Sequence, residues 1–172
     1  DTVASDMGLS KQGLELAARD LSTIALAEDG NHLTISGDRL EGAGISAEDR
    51  EAFVAFNKQI LKFSKLLSGA FNRRPPKLVE GNLTDRFTLA KLGLGMKMLG
   101  KADMSDLMRL ALINIYDVME ENFDNDLLKA AISLDSLLGS HMGPRSPNTV
   151  YGYLYRRMGD IYGFKGPAVV KG

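Results

Sequence analysis

The segment Gly139–Pro147 constrains the fold of this chain more than any other stretch, because it holds two glycines and two prolines. Glycine weakens helices and strands through its conformational freedom, and proline lacks the backbone N–H that both structures use. We therefore expect an ordered loop between the apolar run that ends at Leu138 and the aromatic run that begins at Val150.

The end of this loop carries a helix-start signal. Ser146 before Pro147 is the pattern of an N-cap followed by proline at the first helical position, so a new helix is predicted to begin there. With Arg145 beside it, the first turn is a candidate to face an anionic or electron-rich ligand. A capped interhelical loop without a ligand is the alternative, and local chemistry alone favours it.

Composition limits the classes of protein to which the chain can belong. Its 172 residues, 44% hydrophobic and 25% charged, suit one globular domain over residues 1–172, with a hairpin-containing segment 1–45 and a helical segment 46–172. The net charge is -1 and the basic run Arg73–Lys77 is short. We therefore expect no nucleic-acid partner.

The sequence contains neither cysteine nor a long apolar run. Without cysteine there is no disulfide, which fits a reducing compartment, and no run approaches the roughly 20 apolar residues of a membrane-spanning helix. The chain starts at Asp1 and ends on the strand-like Val169–Gly172 with nothing after it to pair with. We interpret it as a piece of a longer, cytoplasmic protein, with peripheral membrane contact as a further option.

Two β-prone runs near the N-terminus predict the strands. Leu21–Leu26 and His32–Ile35 are joined through Glu28–Asn31, whose Asp-Gly-Asn sequence is typical of a hairpin turn. Helical periodicity dominates the remainder of the chain. The expected fold class is therefore mainly α with a small antiparallel β element, an α+β domain.

The stretch Gly42–Ala47 has the G-x-G-x-x-A lettering of a dinucleotide fingerprint, but we reject that function. A true fingerprint follows a buried strand and presents a bare helix N-terminus to pyrophosphate, whereas Glu48, Asp49 and Glu51 would repel phosphate here. Ser46 is predicted instead to cap a helix whose first turn these acids stabilise.

Apolar periodicity and capping residues predict the helices. We expect long helices over Ala47–Phe71 and Asp126–Leu138, a helix after Thr84-Asp85, another capped by Ser105-Asp106, and a short helical turn over Asp117–Phe123.

The helix after Thr84-Asp85 contains Gly93 and Gly95, which weaken it and either permit close helix packing or loosen the segment. Its leucines and methionines are interleaved with basic residues. We favour packing against the core, and contact with a membrane surface is the alternative.

The sequence shows no self-contained catalytic or metal site. His32 and His141 have no cysteine partners, and the acidic residues are spread along helix faces, so we expect no metal ligands. His141 lies in the ordered loop, but a lone loop histidine is usually a hydrogen-bonding or solvated residue, and we assign it no role.

Two runs carry a family resemblance, Phe123-Asp124-Asn125-Asp126 and Gly143-Pro144-Arg145-Ser146-Pro147-Asn148-Thr149. They resemble a helix start and a Gly-Pro-x-Ser-Pro-Gly-Thr loop in FAD-dependent oxidoreductases related to phytoene desaturase and the pyridine nucleotide-disulfide oxidoreductase domain proteins. Asn148 stands where that family usually has glycine, a mild departure because asparagine also tolerates unusual backbone angles. The resemblance covers most of residues 46–172.

This resemblance implies an enzyme that holds FAD through a Gly-rich βαβ unit and a C-terminal segment, neither of which is in this sequence. The chain would be a helical, cap-like substrate domain that shapes the pocket over the flavin, with no catalytic residue and no FAD or metal of its own. Its partners would be the missing FAD-binding domain and a small-molecule, apolar substrate, with self-association of the fragment as a further expectation. The residues placed nearest flavin or substrate are Gly143, Pro144, Arg145, Ser146, Pro147, Thr149, Tyr151 and Tyr155.

Helical spacing puts Tyr151 and Tyr155 on one face and Tyr153 on another. We expect the first two to form a wall, and the loop Gly143–Pro147 to border a groove or an apolar patch. Packing of all three tyrosines inside the domain is the alternative. For the function as a whole, the alternative is a helical protein-interaction or membrane-surface docking module with no enzymatic parent.

Overall fold

Helices form most of the molecule, and short antiparallel strands form the remainder. The computed structural model describes residues 2–42, 44–71 and 74–172, so Ala43 of the glycine-rich stretch and Arg73 of the basic run lie outside the described residues. In chain order the elements are α1 (Thr2–Asp6), a 3₁₀ helix (Leu9–Gln12), β1 (Leu16–Ala18), β2 (Thr23–Ala25), β3 (Leu33–Ser36), β4 (Arg39–Glu41), α2 (Ala47–Phe71), α3 (Leu83–Met98), α4 (Lys101–Leu110), α5 (Ile115–Asn122), α6 (Asp126–Leu137), α7 (Val150–Arg157), a second 3₁₀ helix (Met158–Tyr162) and β5 (Val169–Val170). The predicted fold class, mainly α with a small antiparallel β element, is confirmed.

The predicted hairpin is present as β2 and β3, which pair antiparallel with Ile24 opposite Thr34. A third strand, β4, extends this sheet, with Ile35 opposite Leu40. This strand was not predicted because it is only three residues long, although Gly37-Asp38 before it is a hairpin-turn signal.

The strand-like C-terminus, which has nothing after it in this sequence to pair with, pairs with a strand near the start of the chain. Val170 lies opposite Leu16 and Val169 opposite Ala18, so β5 and β1 form a second, two-stranded antiparallel sheet. The sequence signal was weak, because β1 is three residues long and two of these residues are exposed.

The long helix α2 has the predicted bounds, and Ser46 begins it as predicted: the Ser46 hydroxyl accepts a hydrogen bond from the Asp49 N–H at 3.0 Å. Its buried face, Phe53, Phe56, Ile60 and Phe63, is the centre of the hydrophobic core. Burying such side chains contributes about 1.5–3 kcal/mol each, so this stripe stabilises the fold more than any strand does.

Three helices are capped by asparagines that were not predicted as caps. The side chains of Asn82, Asn114 and Asn125 accept hydrogen bonds from N–H groups three residues further on, at 2.8–2.9 Å, and begin α3, α5 and α6. Asparagine and aspartate are equally good N-caps. The predicted start of α6 at Asp126 is confirmed, whereas the predicted starts of α3 and α5 fell one to two residues late, on a threonine and an aspartate.

The predicted cap Ser105-Asp106 is wrong, because both residues lie inside α4, which begins at Lys101. The break that ends α3 is Gly100, whose φ of 87° lies in the left-handed region. The new helix starts directly after it, four residues before the predicted cap.

Candidate functional site

The loop before α7 is open to solvent at the predicted positions and held at both ends. Residues 143–145 and 147–148 are exposed, and Ser146 is half-buried. The Arg145 guanidinium lies over the ring of Tyr116, 3.8 Å from its centroid, a cation–π contact. Arg145 therefore points to the start of α5 rather than to the first turn of α7.

The predicted helix start at Ser146-Pro147 is wrong, because α7 begins at Val150. Asn148 has a φ of 65°, in the left-handed region, which stops a helix from running through residues 147–149. This is the position where the resembling family usually has glycine. An asparagine is the residue type that tolerates this backbone conformation after glycine.

Thr149 fixes the loop to the rest of the molecule. Its side chain, 1% exposed, accepts a hydrogen bond from the Ile115 N–H at 2.8 Å and donates one to the Ser146 carbonyl at 2.9 Å. Its own carbonyl accepts from the buried Ser136 hydroxyl of α6. Thr149 was placed near the ligand from the sequence, and in the structure it connects the loop to α5 and α6.

Close packing of α6 against α7 depends on Gly152. A Cβ at this position would overlap the backbone carbonyl oxygen of Ser136. A backbone atom cannot move aside as a flexible side chain can, so only glycine lets these two helices approach so closely.

The three tyrosines of α7 separate as their spacing predicts. Tyr153 is buried and stacks on Phe56, with its hydroxyl donating to the Asn57 side chain at 3.2 Å, whereas Tyr155 is 61% exposed and Tyr151 is half-buried. Burial raises the pKa of Tyr153 to about 12, and burial also raises the pKa of Tyr151. Packing of all three tyrosines inside the domain is therefore excluded.

Phe71, the last residue of α2, completes an aromatic wall that we define as Phe71, Tyr151 and Tyr155. The Phe71 ring centroid lies 5.8 Å from each of the two tyrosine ring centroids. A cavity of about 430 Å³ adjoins this wall and is lined by Phe71, Tyr155, Ser68, Arg156, Met158, Gly159 and Tyr162. The sequence predicted Phe71 only as the last residue of a long helix, because its two aromatic partners lie about 80 residues further along the chain.

The structure brings the predicted site residues together only in part. Tyr151 and Tyr155 meet in the aromatic wall, and Tyr155 borders the cavity of about 430 Å³. The residues lining that cavity do not include Gly143–Pro147, which lie instead beside the connection between α4 and α5: the Tyr116 N–H donates to the Pro144 carbonyl and the Asn148 N–H to that of Leu112.

Helix α3 presents a second candidate surface, because its apolar side chains lie on two faces. Leu89, Leu92, Met96 and Leu99, which recur at helical spacing, are half-buried, but Leu83, Phe87, Leu94 and Met98 are exposed. The favoured interpretation, packing of this helix against the core, thus describes only half of its apolar residues. An apolar groove of about 200 Å³ separates α3 from α2.

Gly95 lets α3 pack closely on α2, because a Cβ there would lie 2.7 Å from a methyl group of Leu66. Gly93, in contrast, faces open space. Two roles were predicted for Gly93 and Gly95. Gly95 permits close helix packing, and Gly93 only weakens the helix.

Other chemistry is sparse in the part of the chain that the structure describes. No group of three or more histidine, cysteine, aspartate or glutamate side chains is arranged to hold a metal ion in residues 2–42, 44–71 and 74–172. His141 is exposed, and the imidazole of His32 accepts a hydrogen bond from the Ala27 N–H. None of the described helices has the length and apolarity needed to cross a bilayer.

The described residues at the N-terminus of α2 do not fit a pyrophosphate group. Next to the glycine-rich stretch, the Ser46 hydroxyl occupies the N-terminus of α2. The buried carboxylate of Asp49 accepts hydrogen bonds from the N–H groups of Asp124 and Asn125 at 2.9 and 3.1 Å. A fixed negative charge at this helix end repels a pyrophosphate, so the rejection of a dinucleotide fingerprint agrees with the geometry.

Comparison with known proteins relates the chain distantly to an oxidoreductase-domain protein. The chain is 24% identical over 182 residues to the pyridine nucleotide-disulfide oxidoreductase domain-containing protein 2 of Mus musculus, and the alignment covers 95% of this chain and 31% of the relative. The protein of the same description from Rattus norvegicus gives the same identity and coverage. The chain thus spans about a third of the length of these relatives. No protein-family model matches it, and no solved structure does so significantly.

Proposed function

We propose that this chain is the substrate-side domain of an FAD-dependent oxidoreductase similar to phytoene desaturase, in which it shapes the pocket over the flavin. The observation that carries the proposal is the alignment to an oxidoreductase-domain protein, which covers 95% of this chain but only 31% of the relative. The remaining two thirds of such a protein leave room for the segments that would bind FAD. We place the parent protein in the cytoplasm.

The aromatic wall supports this role. Phe71, Tyr151 and Tyr155 lie at or near the surface beside a cavity of about 430 Å³, a volume within the range of small-molecule sites. Aromatic faces contribute large apolar area at low entropic cost. In this proposal the wall contacts an apolar substrate, and the exposed loop Gly143–Pro147 meets the FAD-binding domain.

The redox chemistry would belong to the flavin, because no described residue is placed to supply it. The contribution of this chain is binding, orientation and exclusion of water. Thr149 and Gly152 hold the loop and α7 in fixed positions, so that Tyr151 and Tyr155 project from a rigid support rather than from a mobile loop.

Two measurements test this proposal. The coding sequence upstream of this chain is expected to encode a G-x-G-x-x-G strand-turn-helix unit, and its absence would remove the enzymatic parent. In the complete protein, Tyr151→Ala is expected to lower turnover or substrate affinity about tenfold while flavin content stays unchanged, since this side chain supports the wall and not the flavin site. Unchanged kinetics would remove Tyr151 from the pocket.

A membrane-surface role is the second candidate, and the exposed face of α3 favours it. Leu83, Phe87, Leu94 and Met98 are 58–83% exposed. Arg86, Lys91 and Lys97, on the same helix, are exposed as well. Apolar side chains flanked by basic ones suit the interface of a membrane that contains anionic lipid.

Sedimentation with vesicles of phosphatidylserine and phosphatidylcholine tests this second role. The double variant Phe87→Ser, Leu94→Ser is expected to lower the bound fraction at least tenfold, because each change removes apolar area from the interface. Leu134→Ser, at a residue of α6 that is also 58% exposed, is the matched control and should bind as the wild type does. Equal binding by both variants, or none by the wild type, would exclude the membrane role.

A further inference from the structure

The apolar groove of about 200 Å³ between α2 and α3 is used by neither of the roles proposed above. Each helix contributes one face to it, because the lining positions on each helix recur three and four residues apart. The exposed apolar side chains of α3 lie on the adjacent face of that helix and are not part of this lining. The residues that line the groove are Leu66, Gly69, Ala70, Thr88, Lys91, Leu92 and Gly95.

The groove stays open because several of its lining residues are small. At Gly95 the space is filled by a methyl group of Leu66, which lies 2.7 Å from the position of a Cβ. About one helical turn further along α2, no atom lies within 4 Å of a Cβ built at Gly69. Ala70 beside it contributes only a methyl group. A preformed apolar space of this kind is poorly hydrated and favours an apolar occupant.

Lys91 places a cation at this apolar groove. Its side chain is exposed, and among the described residues no carboxylate lies within ion-pairing distance of its ammonium group. The hydroxyl of Thr88 already donates its hydrogen to the Thr84 carbonyl at 2.9 Å. The Lys91 ammonium is therefore the donor available to the polar end of an occupant, and an anionic acceptor makes the stronger bond with it.

The charges around the groove also favour an anion. Residues 52–71 of α2 contain no aspartate or glutamate. The acidic residue of α3, Asp85, is buried and paired with Arg74 at 2.7 Å. In α4, the Asp103 carboxylate is paired with Lys62. The electrostatic potential at the groove is therefore set by a free lysine rather than by free carboxylates, which attracts an anion and disfavours a cation.

We propose that this groove binds a free fatty acid, whose carboxylate accepts hydrogen bonds from the Lys91 ammonium while its acyl chain packs on Leu66, Ala70 and Leu92. The groove has the volume of about seven water molecules at roughly 30 Å³ each, so it holds a chain of medium length or the first part of a longer one. This site is separate from the aromatic wall and does not depend on the proposed oxidoreductase role.

Titration with octanoate below its micelle concentration, followed by methyl NMR of the protein, tests this proposal directly. The expected result is a saturable shift of the Leu66 and Leu92 methyl resonances, with those of Leu94 and Met98 on the adjacent face unchanged. Octanol has the same chain without the charge, and it is expected to bind about fivefold more weakly, since one exposed ion pair is lost.

A charge variant tests the role assigned to Lys91. Lys91→Met keeps the apolar stem of the side chain and removes its ammonium, so octanoate affinity should fall about fivefold while octanol affinity stays unchanged. Lys97→Met is the matched control, because Lys97 is exposed on the same helix but does not line the groove. This control should bind octanoate as the wild type does.

A groove-filling variant tests the position of the acyl chain. Gly69→Leu adds a side chain where the space is open, and leucine favours a helix over glycine, so the variant should stay folded and lose at least tenfold in affinity for both octanoate and octanol. Gly93→Leu is the matched control, because Gly93 also faces open space but lies outside the lining.

Four outcomes would each overturn the proposal. They are the absence of a saturable shift in the wild-type protein, equal affinity for octanol and octanoate, octanoate binding that survives Gly69→Leu, and shifts of Leu94 and Met98 as large as those of Leu66 and Leu92. The last outcome would show that octanoate coats exposed apolar surface without a defined site.

Discussion

Helices α7 and α3 both follow connections rich in glycine and proline, and both are rich in apolar residues, yet only α7 is buried. Four of its residues, Val150, Tyr153, Leu154 and Arg157, are buried, whereas α3 buries only Asp85. The two helices differ in how closely their backbones approach a neighbour. Gly152 brings α7 onto the backbone carbonyl of Ser136, whereas Gly95 of α3 faces only the end of the Leu66 side chain of α2. Apolar composition alone therefore does not determine which helix joins the core.

The largest expected effect lies at Gly152. Gly152→Ala places a Cβ against the Ser136 carbonyl and must push α6 and α7 apart, so we expect a loss of about 3 kcal/mol in the free energy of unfolding, or failure to fold. Gly95→Ala meets only the end of the Leu66 side chain and is expected to change stability by less than about 1 kcal/mol. Urea unfolding measures both, and equal losses would refute the comparison.

The buried Tyr153 predicts a fall in stability at alkaline pH. Its pKa, raised to about 12 by burial, lies above that of the unfolded chain, so the unfolded state loses its proton first as the pH rises. As the pH rises from the unfolded pKa of about 10 to the folded pKa, this residue should lower the free energy of unfolding by about 3 kcal/mol. In Tyr153→Phe that part of the pH dependence should vanish, and in Tyr155→Phe it should remain. A Tyr153→Phe profile with the wild-type slope would contradict this.

The hydroxyls of Thr149, just before α7, and of Thr88, in α3, allow the two helices to be compared by the same substitution. Thr149→Val leaves the buried Ile115 N–H without its acceptor, and we expect the free energy of unfolding to fall by about 2 kcal/mol. The Thr88 hydroxyl of α3 donates only to the Thr84 carbonyl at an exposed position, so Thr88→Val should cost less than about 0.5 kcal/mol. Thermal unfolding of both variants checks the order, and the reverse order would show that the loop is not anchored through Thr149.

The smallest expected effect is a gain in stability when Gly93 is replaced. No atom lies within 4 Å of a Cβ built there, and alanine favours a helix over glycine by about 1 kcal/mol, so Gly93→Ala should stabilise the protein by about that amount. Calorimetry would show a raised midpoint. A destabilised variant would mean that α3 needs this glycine for packing, as α7 needs Gly152.

Local signals predicted most of the fold. The bounds of α2, the hairpin of β2 and β3, and the separation of Tyr153 from Tyr151 and Tyr155 follow from periodicity and capping, which are properties of neighbouring residues. The resemblance to an oxidoreductase-domain family, stated from two short runs, agrees with the alignment to the mouse protein in the family name.

What the sequence could not provide depends on contacts between distant residues. Pairing of β1 with β5 joins the two ends of the chain, and Phe71 meets Tyr151 and Tyr155 from a helix 80 residues earlier. The start of α7 was misplaced because the left-handed conformation of Asn148 is set by bonds from its neighbours to α5 and α6. No short stretch of sequence contains both a residue and its distant contact partners.

The central claim is that the aromatic wall is covered in the complete protein, and thiol labelling tests it most directly. Tyr155 and Leu134 are 61% and 58% exposed in this chain, which contains no cysteine. In the complete protein with its flavin bound, the thiol of Tyr155→Cys should react at least tenfold more slowly than that of Leu134→Cys, as followed by mass spectrometry of the labelled peptides. Equal labelling rates at the two positions, or a complete protein that carries no flavin, would contradict this account.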